Sequence, residues 1–304
     1  MTNTGIQIPQ RLAENQAHIN GEAGRRWIAQ LPALVREVTE AWGLTLGPPF
    51  TNGFSDYAAV VRRGGDSFVL KVCFPDHGFI SQEAALRAFD EQASVRLFNS
   101  DIARGALLLE HIEPGTPLSG AGDDAAQIHA AAELMQRLWR RPPAGHSFES
   151  VSVWLDRANL PASLSLQKRS RPWIAEAFQK ATELLRESTA DRLLHGDLHF
   201  DNILLSRRGW LTIDPNAVIG DPAWEIAPLL FNNLDAAGFA WPSVVRRRID
   251  QLCDELSLER ERAYAITAAR CLQARFWSLR DESIPGAGHV EQALYCAEEL
   301  AKGP

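Results

Sequence analysis

A chain of 304 residues with 45% hydrophobic and 23% charged residues buries a sizeable core, enough for two domains or one two-lobed unit. Its formal net charge of -7 argues against a nucleic-acid binder, whose footprint would be basic, and suits a cationic small-molecule partner. Cys73, Cys253, Cys271 and Cys296 form no CxxC pair, no signal pattern opens the chain, and no apolar run approaches the ~18 residues of a membrane span. The expectation is a cytoplasmic protein with buried or free thiols and no membrane partner.

Residues 1–20 are polar and expected to be partly loose. Trp27, Ile28, Leu31, Leu34, Val35, Val38 and Trp42 repeat at helical spacing, which predicts a helix over 24–42 that Gly43 and Gly47-Pro48-Pro49 stop. Strands follow at 57–61 and 67–72, with Lys71 interrupting the second. Lys71 reads either as an edge-strand charge or as an amine held towards a phosphate by Glu83. Residues 81–98 read as a helix with Glu83 early in it, and 105–112 as another strand. The turn-rich Glu113–Pro117 marks the candidate lobe boundary. Beyond it the pattern is helical, over 125–139, 148–160, 173–188, 224–232, 242–256, 259–279 and 290–302. The predicted organisation is an N-terminal lobe over 1–109, a hinge over 110–117 and a C-terminal lobe over 118–304.

Between these helices lies Leu193–Leu205, an apolar approach, a polar loop and an apolar exit. Ile203-Leu204-Leu205, a turn at Ser206–Gly209 and Trp210–Ile213 predict a β-hairpin. Asp197 lies five residues before Asn202, and Asp214 twelve after it, so the hairpin returns Asp214 towards the loop. Two carboxylates and a carboxamide converge there. Such oxygen donors suit Mg²⁺ with a phosphate better than zinc.

With its parts assembled, the chain resembles the protein-kinase-like aminoglycoside phosphotransferases, and within them the streptomycin 6-phosphotransferase branch grouped with hydroxyurea kinases. The resemblance rests on His195-Gly196-Asp197-x-x-x-x-Asn202, Ile213-Asp214-Pro215, Lys71, Glu83 and Gly220-Asp221-Pro222, and covers roughly residues 45–300. It implies an α+β, two-lobed fold, with a small antiparallel-sheet lobe carrying a helix and a larger, mainly helical lobe. It also implies transfer of the γ-phosphate of a nucleotide to a hydroxyl of an aminoglycoside or aminocyclitol, streptomycin first. Asp197 would be the catalytic base, and Asn202 and Asp214 would hold Mg²⁺. Lys71, oriented by Glu83, would touch the α- and β-phosphates, and the loop with Asn52, Gly53 and Ser55 would cover them. Glu110 and Ile112 would offer backbone groups to adenine. ATP is the expected donor, with GTP open, and the oligomeric state is not readable.

The phosphate loop lacks G-x-G-x-x-G, having only Gly53. Pro215-Asn216 follow the metal acid, and Gly196 stands where protein kinases have arginine, so activation-loop regulation is not expected. The same loop admits other readings. His195, Asp197 and His199 spell H-x-D-x-H, a pattern that can ligate zinc, yet the kinase constellation explains more residues. His195 reads as a brace for the loop. His199 and Glu225 are candidate substrate contacts, as is the pair Asp281-Glu282. Asp221 reads as a helix cap, and Arg246-Arg247-Arg248 as an exposed helix face. The rival functions are a metabolic kinase of a sugar or amino sugar, and a nucleotide-binding module without catalysis.

Overall fold

The computed structural model describes residues 5–51, 53–89, 91, 93–157, 172–188, 191–234, 238, 240–279 and 288–304. Its chain divides into two compact units, Met1–Arg87 with Val95–Glu113, and Ala88–Ser94 with Pro114–Pro304.

The first unit is built on a five-stranded antiparallel sheet in the order β1-β2-β3-β5-β4, from Thr45–Pro49 (β1), Tyr57–Arg63 (β2), Asp66–Val72 (β3), Leu97–Asp101 (β4) and Ala106–Glu110 (β5). Alternation decides which face is buried. Tyr57, Ala59 and Val61 of β2 and Phe68, Leu70 and Val72 of β3 join one core cluster. Ala106 and Leu108 of β5 join it too, and two helices supply the rest. Gln10–Ile19 (α1) brings Leu12, and Gly21–Ala41 (α2) brings Trp27, Leu31, Val35 and Val38. Residues 10–19 are therefore helical, not loose. Leu12, Asn15 and Gln16 have buried positions that the polar composition does not advertise.

The helix expected over 81–98 is shorter and starts earlier. His77–Ala88 (α3) is helical, with Asp76 Oδ1 accepting from the N–H of Phe79 at 3.0 Å. Leu97–Asp101 is extended because it pairs with β5, Leu97 opposite Leu109 and Asp101 opposite Ala106. The hairpin ladder that Leu97–Asp101 makes with β5, closed by the short turn at 102–105, overrides the local helical pattern.

In the second unit, Asp124–Leu138 (α4) is capped by Asp123, which accepts from Ala126 N. Val151–Arg157 (α5), Pro172–Arg186 (α6), Ala227–Phe231 (α7), Trp241–Leu256 (α8), Arg260–Leu279 (α9) and Gly288–Leu300 (α10) follow. Two small sheets sit among them. Pro114–Pro117 (β6), Ile203–Ser206 (β8) and Gly209–Thr212 (β9) form one, and Arg192–Leu194 (β7) pairs with Val218–Gly220 (β10) in the other. The hairpin register, Ile203 opposite Thr212 and Ser206 opposite Gly209, is the one the turn at Ser206–Gly209 predicts. Among the described residues no helix is long and apolar enough to cross a membrane.

Candidate active site

The second unit holds the loop from His195 to Asn202, fastened on three sides. Gly196 has φ of 83°, and a Cβ there would stand 2.0 Å from the backbone oxygen of Asn216, so only glycine passes. Asn216 N donates to His195 O at 2.8 Å, and His195 Nε2 bonds Ile213 O at 2.8 Å. Ile213 N donates to Asn202 O at 2.9 Å, which seats Asp214 beside Asn202. Beneath the loop, the Glu225 carboxylate accepts from the N–H of His195 and, at 2.9 Å, from that of Gly196.

This fastening sets the chemistry. Asp197 keeps an exposed carboxylate, 49% accessible, with His199 Nε2 3.9 Å from its Oδ2. The Asn202 amide donates to Asp197 O at 2.9 Å, which turns its other terminal atom, the carbonyl oxygen, away from that bond and towards a ligand role. Asp214 takes φ of 56°, a left-handed conformation uncommon for a non-glycine residue. Two oxygen donors on adjoining strand ends fit Mg²⁺, which takes few protein ligands and fills its shell with water and phosphate oxygens. Among the described residues no group of three or more His, Cys, Asp or Glu could hold a metal by itself. His195 is fully buried, and burial pulls its pKa down to about 4, so it stays neutral and braces the loop through Ile213 O.

Glu225, a candidate substrate contact, lies under the loop backbone. It is 1% exposed and spends its oxygens on backbone N–H groups, and burial pushes its pKa up to about 7. Asp221 has the capping role expected, accepting from Ala223 N at 2.9 Å, and it also pairs with Arg262 Nε at 2.7 Å. Asp281 and Glu282 lie outside the described residues, as does Asn52.

In the first unit, Lys71 is 4% exposed on the sheet face opposite the core cluster, and its Nζ pairs with Asp56 Oδ2 at 3.0 Å. The expected pairing with Glu83 is not what the structure shows. Glu83 accepts from Arg87 Nε at 2.6 Å and from Ser100 Oγ at 2.8 Å, both on its own side of α3 and β4. Gly53 and Ser55 lie in the loop that ends in Asp56. At the end of β5 the N–H of Glu110 is committed to Arg96 O at 2.9 Å, so any backbone group it offers adenine is its carbonyl. Ile112, 8% exposed, is buried just beyond it.

Two arginines support the loop, and sequence assigned neither of them to it. Arg270 in α9 is 5% exposed, donates from Nη2 to Gly196 O at 3.3 Å, and has its guanidinium 5.7 Å from the Trp224 ring centre. The signal was its spacing, for Ala263, Ile266, Thr267 and Arg270 share the buried side of one helix. Arg248 corrects the expectation of an exposed arginine run. It is 2% exposed, bonds Asp124 Oδ1 from Nε at 2.9 Å and the carbonyls of Leu229 and Asn232 from Nη1, and lies 5.3 Å from the ring of Phe200 in the loop. It follows Val245 by three residues and so falls on the buried face.

Residues 45–282 match the family of aminoglycoside/hydroxyurea antibiotic resistance kinases. The hydroxyurea phosphotransferase of Kitasatospora aureofaciens is 35% identical over 287 residues, 92% of this chain and 82% of that protein. The streptomycin 6-kinase of Streptomyces griseus is 34% identical over 291 residues, 91% of this chain and 92% of that protein. A thermostable mutant of the aminoglycoside phosphotransferase APH(4)-Ia, solved with AMP-PNP and hygromycin B, matches with a TM-score of 0.62 at 15% identity, over 88% of this chain and 97% of that one. That last likeness establishes the protein-kinase-like fold. The chain belongs to the aminoglycoside/hydroxyurea antibiotic resistance kinases, and is a small-molecule phosphotransferase.

Proposed function

We propose that this enzyme transfers the γ-phosphoryl group of ATP to a hydroxyl of streptomycin, or of a closely related aminoglycoside or aminocyclitol, and so inactivates it in the cytoplasm. The observation that carries this reading is the 34% identity with a streptomycin 6-kinase, sustained over 92% of that protein. The net charge of -7 suits a cationic acceptor.

Phosphoryl transfer asks mainly for positioning and for charge stabilisation on the transferring oxygens. Asp197 would accept the proton of the acceptor hydroxyl as its oxygen bonds to the γ-phosphorus. The bond from that phosphorus to the bridging oxygen breaks, and ADP leaves with the electron pair. Asn202 and Asp214 would hold Mg²⁺, which when bound neutralises charge on the phosphate oxygens. Lys71 would exchange Asp56 for the α- and β-phosphates. Gly53 and Ser55 would cover the phosphates, Glu110 and Ile112 would serve the adenine, and His199 would meet the acceptor. The first unit would carry the nucleotide and the second the catalytic loop and acceptor.

A second reading has an observation of its own, since the hydroxyurea phosphotransferase is 35% identical over 287 residues. One panel decides. Streptomycin, hydroxyurea, a sugar and an amino sugar are each offered with ATP or GTP to wild type and Asp197→Asn, and read by the mass gain of one phosphate. Streptomycin with ATP is expected to be phosphorylated, and Asp197→Asn is expected to lower kcat by about 10³-fold. Wild type that leaves streptomycin unmodified overturns the acceptor. An unchanged rate in Asp197→Asn overturns the catalytic base, and wild type that phosphorylates none of the acceptors favours a nucleotide-binding module.

A further inference from the structure

Helix α1 lies ahead of the matched segment 45–282 and has no part in the site so far described. Only one of its apolar side chains, Leu12, enters the core cluster. Its buried polar groups are two amides, Asn15 at 4% and Gln16 at 1% exposure. Burying an amide is costly unless it is hydrogen-bonded, and a helix that merely covered a sheet would present leucine there. Both amides reach across thirty-nine positions of sequence to one short loop. Asn15 Nδ2 donates to Phe54 O at 2.8 Å, and Gln16 Nε2 donates to Ser55 O at 2.6 Å. Asn20 Nδ2 donates to Gln16 Oε1 at 2.7 Å, which fixes the orientation of that amide. The helix itself is tightly seated, since a Cβ on Gly24 of α2 would come 1.9 Å from Gln16 O.

The loop so held is Gly53–Asp56, the segment next to Lys71 through the Asp56 ion pair. Its carbonyl oxygens at Phe54 and Ser55 would repel phosphate oxygens, and both are turned to α1. Among the described residues no acceptor takes the backbone N–H groups of Gly53, Phe54, Ser55 or Asp56. Those N–H groups are the loop's means of binding an anion. A glycine-rich loop would find such a shape by freedom of its backbone. This loop has a single glycine, and external bonds set its conformation instead.

We infer that α1 is a positioning element of the nucleotide site, in which Asn15 and Gln16 hold the carbonyls of Phe54 and Ser55 so that the loop presents its N–H groups to the phosphates of a nucleoside triphosphate. The inference rests on the proposed nucleotide role of this loop. It is tested with Asn15→Leu, Gln16→Leu and Gln16→Glu, with Gln10→Ala on the exposed side of α1 as the control. Binding of AMP-PNP with Mg²⁺ is measured by calorimetry, and KM for ATP, KM for the acceptor and kcat by turnover. Each lost amide is expected to weaken nucleotide binding and raise KM for ATP by about three- to tenfold. The acceptor KM and kcat stay within about twofold, a split that general loss of stability does not produce. Hydrogen exchange on wild type covers the case of a variant that does not fold, with the amides of Gly53–Asp56 expected to slow when nucleotide is added. Wild type that binds no nucleotide overturns the functional reading beneath the inference. Wild type that binds, with folded variants of equal affinity or with no protection of the loop amides, overturns the inference alone.

Discussion

His195 and Glu225 face one another through the backbone of the catalytic loop, and their burial works in opposite senses. Burial pulls the imidazole down to about 4 and pushes the carboxyl up to about 7. Unfolded, they would titrate near 6.5 and 4.5. A depressed histidine contributes stability above its unfolded value and loses it as pH falls towards 4. A raised carboxyl contributes stability below its unfolded value and loses it as pH rises towards 7. Between about pH 4.5 and 6.5 the pair therefore binds one proton in either state, and its contribution is level. Glu225→Gln removes one half of that balance. The stability of the variant relative to wild type is expected to rise by about 3 kcal/mol over that window, read from urea midpoints against pH. A difference between the two proteins that does not vary with pH counts against the assignment. Sequence could not assign Glu225, because an acid after the metal loop looks the same whether it faces solvent or lies under the loop. It is buried against the backbone of His195 and Gly196, about thirty positions earlier in the chain.

Elements, not single residues, hold the reacting groups in register. Gly196 lets the loop pass Asn216, and Gly196→Ala is expected to lower kcat by about 10²-fold, since a shift near 1 Å in a catalytic group costs about that much. Steady-state kinetics on the folded variant checks it. Further back, Asp124 at the start of α4 meets Arg248 in α8, and Arg248 in turn lies over Phe200. Asp124→Ala leaves a guanidinium that is 2% exposed without its carboxylate. The expected loss is about 3 kcal/mol of unfolding free energy, measured by urea denaturation. An unchanged midpoint would show that the carbonyls of Leu229 and Asn232 suffice for Arg248. Hairpin β8–β9 was legible in advance because its register depends on its own turn. Strand β4 was not, although it too forms a hairpin with β5, because Leu97 and Phe98 continue the helical spacing of the residues before them.

For the whole molecule, charge is the property that acts at a distance. With a net charge of -7, raising salt from about 0.05 to 0.3 M shortens the screening length and is expected to raise KM for streptomycin several-fold, with kcat little changed. A KM insensitive to salt removes long-range steering from the account. The family came from the resemblance of these motifs to known kinases, while the convergence of Asp197, Asn202 and Asp214 was readable from spacing, since those intervals serve a local loop and hairpin. Those are short-range devices, and short-range geometry is set by neighbouring residues. The tertiary structure alone decided that Lys71 pairs with Asp56 while Glu83 turns to Arg87 and Ser100, that Glu225 supports the loop from below, and that polar residues 10–19 form a helix bonded to Phe54 and Ser55. Apart from the Glu83–Arg87 pair, which is one helical turn apart, those outcomes depend on desolvation and on partners farther along the chain, and neither quantity is carried by a residue's own neighbours in sequence.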